Sequence, residues 1–101
     1  MIIRSATTSD IEQIVSFQLL MASETEGIVL NQPTVLKGVT SVLNDPAKGK
    51  YYVAEIDGKV VGSLLTTFEW SDWRNGTILW IQSVYVLKEF RRKGVYRNMY
   101  L

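Results

Sequence analysis

One glycine in this sequence is ringed by cations. Lys88, Arg91, Arg92, Lys93 and Arg97 fall within ten positions around Gly94 and make up five of the eleven basic residues of the chain. An apolar run, Val84-Tyr85-Val86, stands just before them and reads as the end of a strand. A strand that leads into a basic, glycine-containing loop opening a helix is a ready anion site, because the first N–H groups of a helix have no internal partner and point outward. Gly94 lets an anion approach the backbone closely, and the cationic side chains add charge-assisted hydrogen bonds. A pyrophosphate fits such a cradle; the competing reading is a solvated basic surface run. The two familiar phosphate motifs, G-x-x-x-x-G-K-[ST] and G-x-G-x-x-G after an early strand, are absent.

The chain has 101 residues, 47% of them hydrophobic, enough for one domain with a buried core. Net charge is +1, but residues 1–72 hold nine acids and five bases, net −4, whereas residues 73–101 hold one acid and six bases, net +5. The sign is segregated, with the bases confined to one region, so nucleic-acid binding ranks low. The sequence contains no histidine and no cysteine, which removes the commonest general base, thiolate metal sites and cysteine nucleophiles, and no metal is expected. Chemistry here falls to carboxylates, tyrosines, hydroxyls and backbone amides. The N-terminus lacks the form of a signal peptide and no apolar run approaches a membrane span, so a cytoplasmic protein without membrane partners is expected.

The elements that position the loop read as follows. Ile2 to Arg4 form a short edge strand, and Ser9-Asp10-Ile11-Glu12 has the form of a capping box before a helix from about Asp10 to Ser23. Ile11, Ile14, Val15, Leu19 and Ala22 share one face of it. Pro33 suits the start of a second helix, with Val35, Leu36, Val39, Val42 and Leu43 at helical spacing until Asn44-Asp45-Pro46 stops it. From Lys50 the period becomes two: "KYYVAEI", the turn Asp57-Gly58, then "KVVGSLLTTFEW" predict a type I′ hairpin. Gly62 inside the second strand suggests a bulge or a close backbone approach. Thr77 to Val86 form a further strand, Lys88 and Glu89 a turn, and Val95 to Leu101 the beginning of a helix. The order β-α-α-β-β-β-α describes an α+β sheet with packed helices.

At Arg91-Arg92-Lys93-Gly94-Val95-Tyr96 the sequence resembles the GCN5-related N-acetyltransferase (GNAT) superfamily, whose signature is a strand followed by R/Q-x-x-G-x-G/A at the start of a helix. Arg91 and Gly94 match, and Tyr96 replaces the usual glycine or alanine, which predicts a less open loop or a shifted helix. The upstream element order is similar to the family's N-terminal half, and "EWSDWRNG" followed by "WIQSVYV" to a bacterial branch of it. The resemblance covers nearly all of the chain and implies an acyl-CoA N-acyltransferase fold with an acetyl-CoA site. Backbone groups of Val84, Tyr85 and Val86 would pair with the pantetheine arm, and amides from Arg92, Lys93, Gly94, Val95, Tyr96 and Arg97 would cradle the pyrophosphate. It implies direct transfer: a carboxylate or water chain deprotonates an amine, which attacks the thioester while a strand amide stabilises the oxyanion.

Family members continue past this helix with further strands and a helix, which supply the other wall of the cleft and the tyrosine that commonly protonates the thiolate. By that resemblance the sheet edge near Ile78, Trp80 and Val84 is open, and a homo-oligomer or a complementing chain is expected to cover it. Glu24 and Glu26, placed in the loop after the first helix, would attract a cationic amine acceptor or merely solvate a helix end. Glu69 at a strand end beside Trp70 is a candidate base, or a paired or exposed acid. Trp70, Trp73 and Trp80 would line an acceptor site or pack in a core or interface. Tyr85 is expected to separate core from cleft on the two faces of its strand, and Tyr96 and Tyr100 to pack rather than catalyse. The leading function is acetyl transfer from acetyl-CoA to an amine of a small molecule or peptide; the alternative is a non-catalytic coenzyme A-binding or dimerisation module.

Overall fold

The computed structural model describes residues 1–99, so Tyr100 lies outside the described residues. Along the chain run β1 (Ile2–Ser5), α1 (Ile11–Glu26), α2 (Gln32–Asn44), β2 (Lys50–Ile56), β3 (Lys59–Ser71), β4 (Gly76–Val86) and α3 (Val95–Met99). The strands form one antiparallel sheet in the order β1-β2-β3-β4. Successive residues of a strand face opposite sides, and the core divides accordingly. Tyr51 and Val53 pack with Ile14 and Val15 of α1 and Val39 of α2. Ala54, Val61, Leu64 and Val86 pack with Val95 and Met99 of α3 on the other face.

Local chemistry sets the helix limits. The capping box lies two residues earlier than the one read from Ser9: the Thr7 N–H donates to Asp10 Oδ2 at 2.8 Å, and residues Thr8–Asp10 form a 3₁₀ turn that leads into α1. Asp10 is favoured because Arg4 holds it with two hydrogen bonds, Nη1 to Oδ2 at 2.7 Å and Nη2 to Oδ1 at 3.0 Å. Arg4 Nη2 also reaches Glu55 Oε1 at 3.1 Å, so one guanidinium ties β1, the entry to α1 and β2 together. At its other end α1 runs three residues past Ser23. Gly27, in the left-handed region, donates its N–H to Ser23 O and Ile28 donates to Ala22 O, which closes the helix. Phe17 joins the buried face at 0% exposure, in addition to the five positions expected there. In α2, Asn31 Oδ1 accepts from the Thr34 N–H at 2.9 Å, and Leu36 is exposed rather than part of the core face.

The β2–β3 hairpin takes the expected turn, with Ile56 paired to Lys59 and φ of 50° and 77° at Asp57 and Gly58. Both expectations for Gly62 hold. The register shifts between Ala54 and Glu55, leaving Val61 unpaired, and a Cβ on Gly62 would sit 2.9 Å from Tyr85 O. Beyond Thr66, the last residue of β3 paired to β2, the hairpin of β3 and β4 continues as a two-stranded ribbon. Phe68, Trp70, Leu79 and Trp80 on it are all more than half exposed. No helix among the described residues is long and apolar enough to cross a membrane.

Candidate functional site

Near its end β4 leaves the regular ladder. Ser63 pairs with Tyr85 and Leu65 with Gln82, so Ser83 and Val84 together oppose Leu64. Ser83 takes a φ of 53° at this bulge. The bulge resets the alternation, and Tyr85 and Val86 are buried on opposite faces: Val86 joins the α3 side, while the Tyr85 ring packs on Phe17 with centroids 5.3 Å apart. The strand end therefore has core on both faces, and on the Tyr85 face the same side chain also borders a groove beside α1. The Leu87 N–H donates inward to Val61 O at 2.8 Å. By the alternation of an antiparallel ladder the polar groups of Val86 point outward.

A 3₁₀ turn at Lys88–Phe90 follows, then the basic loop, then α3. Arg92 and Gly94 both adopt positive φ, 69° and 81°, a region in which glycine is at ease and arginine is strained. The loop closes one side of a groove of about 750 Å³. Met21, Glu24 and Thr25 of α1 form another side, and Val84, Tyr85, Val86, Arg91, Arg92, Gly94, Tyr96 and Arg97 complete it.

Inside the groove three side chains share charge. The Tyr85 hydroxyl donates to Glu24 Oε2 at 2.6 Å, and Arg91 Nη2 donates to Glu24 Oε1 at 2.8 Å. Arg91 Nε donates to Val86 O at 2.8 Å, and its guanidinium lies 5.2 Å from the Tyr85 ring centroid. The Tyr85 bond, then the Arg91 bond, hold the Glu24 carboxyl below its ordinary range. Burial, with the Glu24 bond added, pushes the Tyr85 hydroxyl up to about 12. At neutral pH the tyrosine is therefore a fixed donor and the glutamate a fixed anion.

The structure brings together most of the residues singled out by sequence and separates the rest. Glu24 belongs to the last turn of α1, not to the loop after it, and faces the basic loop. Glu26 is exposed at the same helix end and takes no part in the groove lining. The Val95 side chain is 1% exposed in the core, leaving its backbone for the loop, and Lys93 Nζ sits over the Phe90 ring at 5.6 Å. Tyr96, 59% exposed, lines the groove. Glu69 and Trp70 lie on the ribbon, six and seven residues beyond Ser63 on β3; at ~3.3 Å per residue that is about 20 Å from the groove end of the strand. Glu69 Oε2 there accepts from Trp80 Nε1 at 2.8 Å, the paired-acid reading of that residue. The Ser83 bulge and the groove contacts of Met21 and Thr25 had no sequence signal.

The sequence model of the acetyltransferase (GNAT) family matches residues 16–100. The chain belongs to the GNAT acetyltransferase family. Its fold matches solved GNAT structures. A possible acetyltransferase from Clostridium difficile is 48% identical with a TM-score of 0.92, over 98% of this chain and 65% of that one. An integron cassette protein from the Cole Harbour salt marsh metagenome shares the fold at 20% identity and a TM-score of 0.85, over 92% of this chain and 60% of that one. A predicted acetyltransferase of Clostridium acetobutylicum, solved with acetyl-CoA, does so at 20% identity and a TM-score of 0.79, over 98% and 68%. The chain thus spans under two thirds of the length of the first two. Comparison with curated proteins gave no match. The bulge in β4 and the R-x-x-G loop of this GNAT chain sit on either side of Tyr85 and Val86, and the groove lies along that stretch.

Proposed function

We propose that the groove beside β4 binds acetyl-CoA and that the protein to which this chain corresponds acetylates an amine of a small molecule or peptide. The observation that carries this reading is the convergence of Val84 to Val86, Arg91, Arg92, Gly94 and Arg97 on one groove, with Gly94 at a φ of 81° where the backbone is most approachable. Arg92 and Arg97 line it and make no ion pair among the described residues, so their charge is available to a pyrophosphate. Val86 O has one lone pair engaged by Arg91 Nε and a second for a pantetheine amide. Acetyl-CoA supplies the activated thioester. The chain's own contribution is to hold and orient it.

A second reading, coenzyme binding without catalysis by this chain, is favoured by the positions of the acids. Glu24 has both oxygens engaged, and Glu69 stands on the distant ribbon, so neither is placed as a free base in the groove. A thermal shift with acetyl-CoA, set against adenosine diphosphate and buffer, tests the coenzyme site: acetyl-CoA is expected to raise the melting temperature, and an absent shift contradicts the site. Thiol release over a panel of amines then separates the two readings, since binding without release favours the non-catalytic one.

A further inference from the structure

Glu24 and Arg91 are 67 positions apart in sequence and 2.8 Å apart in the fold. We infer that Glu24 is a positioning residue: through Arg91 it fixes the basic loop against the end of α1 and the end of β4, in the geometry that receives the coenzyme's pyrophosphate. The inference rests on the acetyl-CoA reading above and concerns how that site is built.

The guanidinium of Arg91 is a planar fork, and its directions are assigned: Nε to Val86 O, Nη2 to Glu24 Oε1, and its face to the Tyr85 ring. Tyr85 in turn secures the other oxygen of Glu24. The contacts reach Glu24 on α1 and Tyr85 and Val86 on β4, so α1, β4 and the loop meet around one carboxylate. The loop needs such an anchor. Arg92 and Gly94 take it out of the repeating helical and extended conformations, and the backbone bonds from Arg91 N–H to Lys88 O and from Asn98 N–H to Gly94 O lie at its two ends. Arg91 is thereby spent on architecture, leaving Arg92 and Arg97 as the groove's charges for the ligand. Glu24 is spent too, and an acceptor amine would have to displace both Arg91 and Tyr85 to use it.

The sign of one mutational effect decides the matter. Acetyl-CoA is a polyanion, so removing a nearby carboxylate strengthens binding if Glu24 acts only as a charge. If Glu24 acts by holding Arg91, removing it weakens binding. Calorimetric titration with acetyl-CoA is expected to show Glu24→Gln binding roughly 5- to 10-fold more weakly than wild type, in keeping with charge-assisted bonds at a part-exposed site. Arg91→Lys, which keeps the charge and loses the fork, weakens binding by a similar factor, and the double variant is no weaker than the worse single one. Tyr85→Phe, which keeps the packed ring, moves in the same direction by less. In ligand-free protein, Glu24→Gln also speeds hydrogen exchange at the amides of residues 91–94. Unchanged or tighter binding by Glu24→Gln, or full affinity in Arg91→Lys, overturns the positioning role while leaving the coenzyme site intact. A wild-type chain that does not bind acetyl-CoA overturns the coenzyme reading, and this inference with it.

Discussion

Gly94→Trp is expected to abolish acetyl-CoA binding, with a loss of at least about 100-fold, while the protein stays folded. Two costs follow from the replacement, and they fall on different properties. The first is backbone strain: at a φ of 81° an L-residue pays roughly 1–2 kcal/mol. That lowers the melting temperature by roughly 5–15 °C for a domain of this size. The second is occupancy. A Cβ at this position meets nothing closer than Asn98 Nδ2 at 3.5 Å, an ordinary contact, so the new side chain leaves the backbone without a clash at its first atom. It stands instead in the groove that Gly94 lines, where the ligand's phosphates would approach. Gly94→Ala separates the two costs, since it carries the strain without the bulk and is expected to lose far less affinity. Calorimetry alongside thermal melting checks both variants, and a tryptophan variant that binds like wild type would remove the loop from the site.

The second large effect concerns the scaffold. Asp10→Ala is expected to destabilise the fold by roughly 2–3 kcal/mol, somewhat below the full cost of breaking a buried pair because Arg4 is part exposed. Asp10 is 4% exposed and accepts from both ends of the Arg4 guanidinium and from the Thr7 N–H. Its removal leaves Arg4 with Glu55 and the Ser5 carbonyl and uncaps the entry to α1. The pH dependence has a definite sign. The Arg4 hydrogen bond, working against burial, lowers the Asp10 carboxyl from its ordinary value of 3.8. A depressed carboxylate contributes its stability in full above the unfolded-state value, and loses it as pH falls through the folded-state value. The stability gap between wild type and Asp10→Ala should therefore be constant from neutral pH down to about 5 and close below about 4. Denaturant melts across that range check it; a gap that persists at acid pH would assign the loss to packing and not to the ion pair.

Short-range signals made most of the scaffold legible. Asp57-Gly58 forms the turn its sequence demands, Pro33 lies in the first turn of α2, and the change of period at Lys50 marks the first residue of β2. Where the reading missed, longer-range forces decided. Thr7 and not Ser9 begins the capping box because Asp10 is recruited by Arg4 from a different element. The helix runs on through Glu24 because glutamate is a good helix former and the left-handed residue that ends α1 is Gly27. That extension moves Glu24 out of a loop and onto the groove. The Ser83 bulge is silent in "WIQSVYV", where three apolar residues in a row hide the break in alternation. Glu69 reads correctly as a residue near a strand end. Its distance from the groove depends on the 13-residue length of β3, and no local pattern near Glu69 reveals it. The bond between Glu24 and Arg91 spans 67 positions, a separation over which one sequence carries no pairing signal.

Backbone amide resonances followed during titration of the wild-type chain with acetyl-CoA show whether the groove beside β4 receives the coenzyme. Saturable shifts are expected at Val84, Tyr85, Val86 and the amides of residues 91–97, with the ribbon around Glu69 and Trp70 unmoved. Shifts that are absent, or that centre on the ribbon instead, would contradict a coenzyme site in that groove.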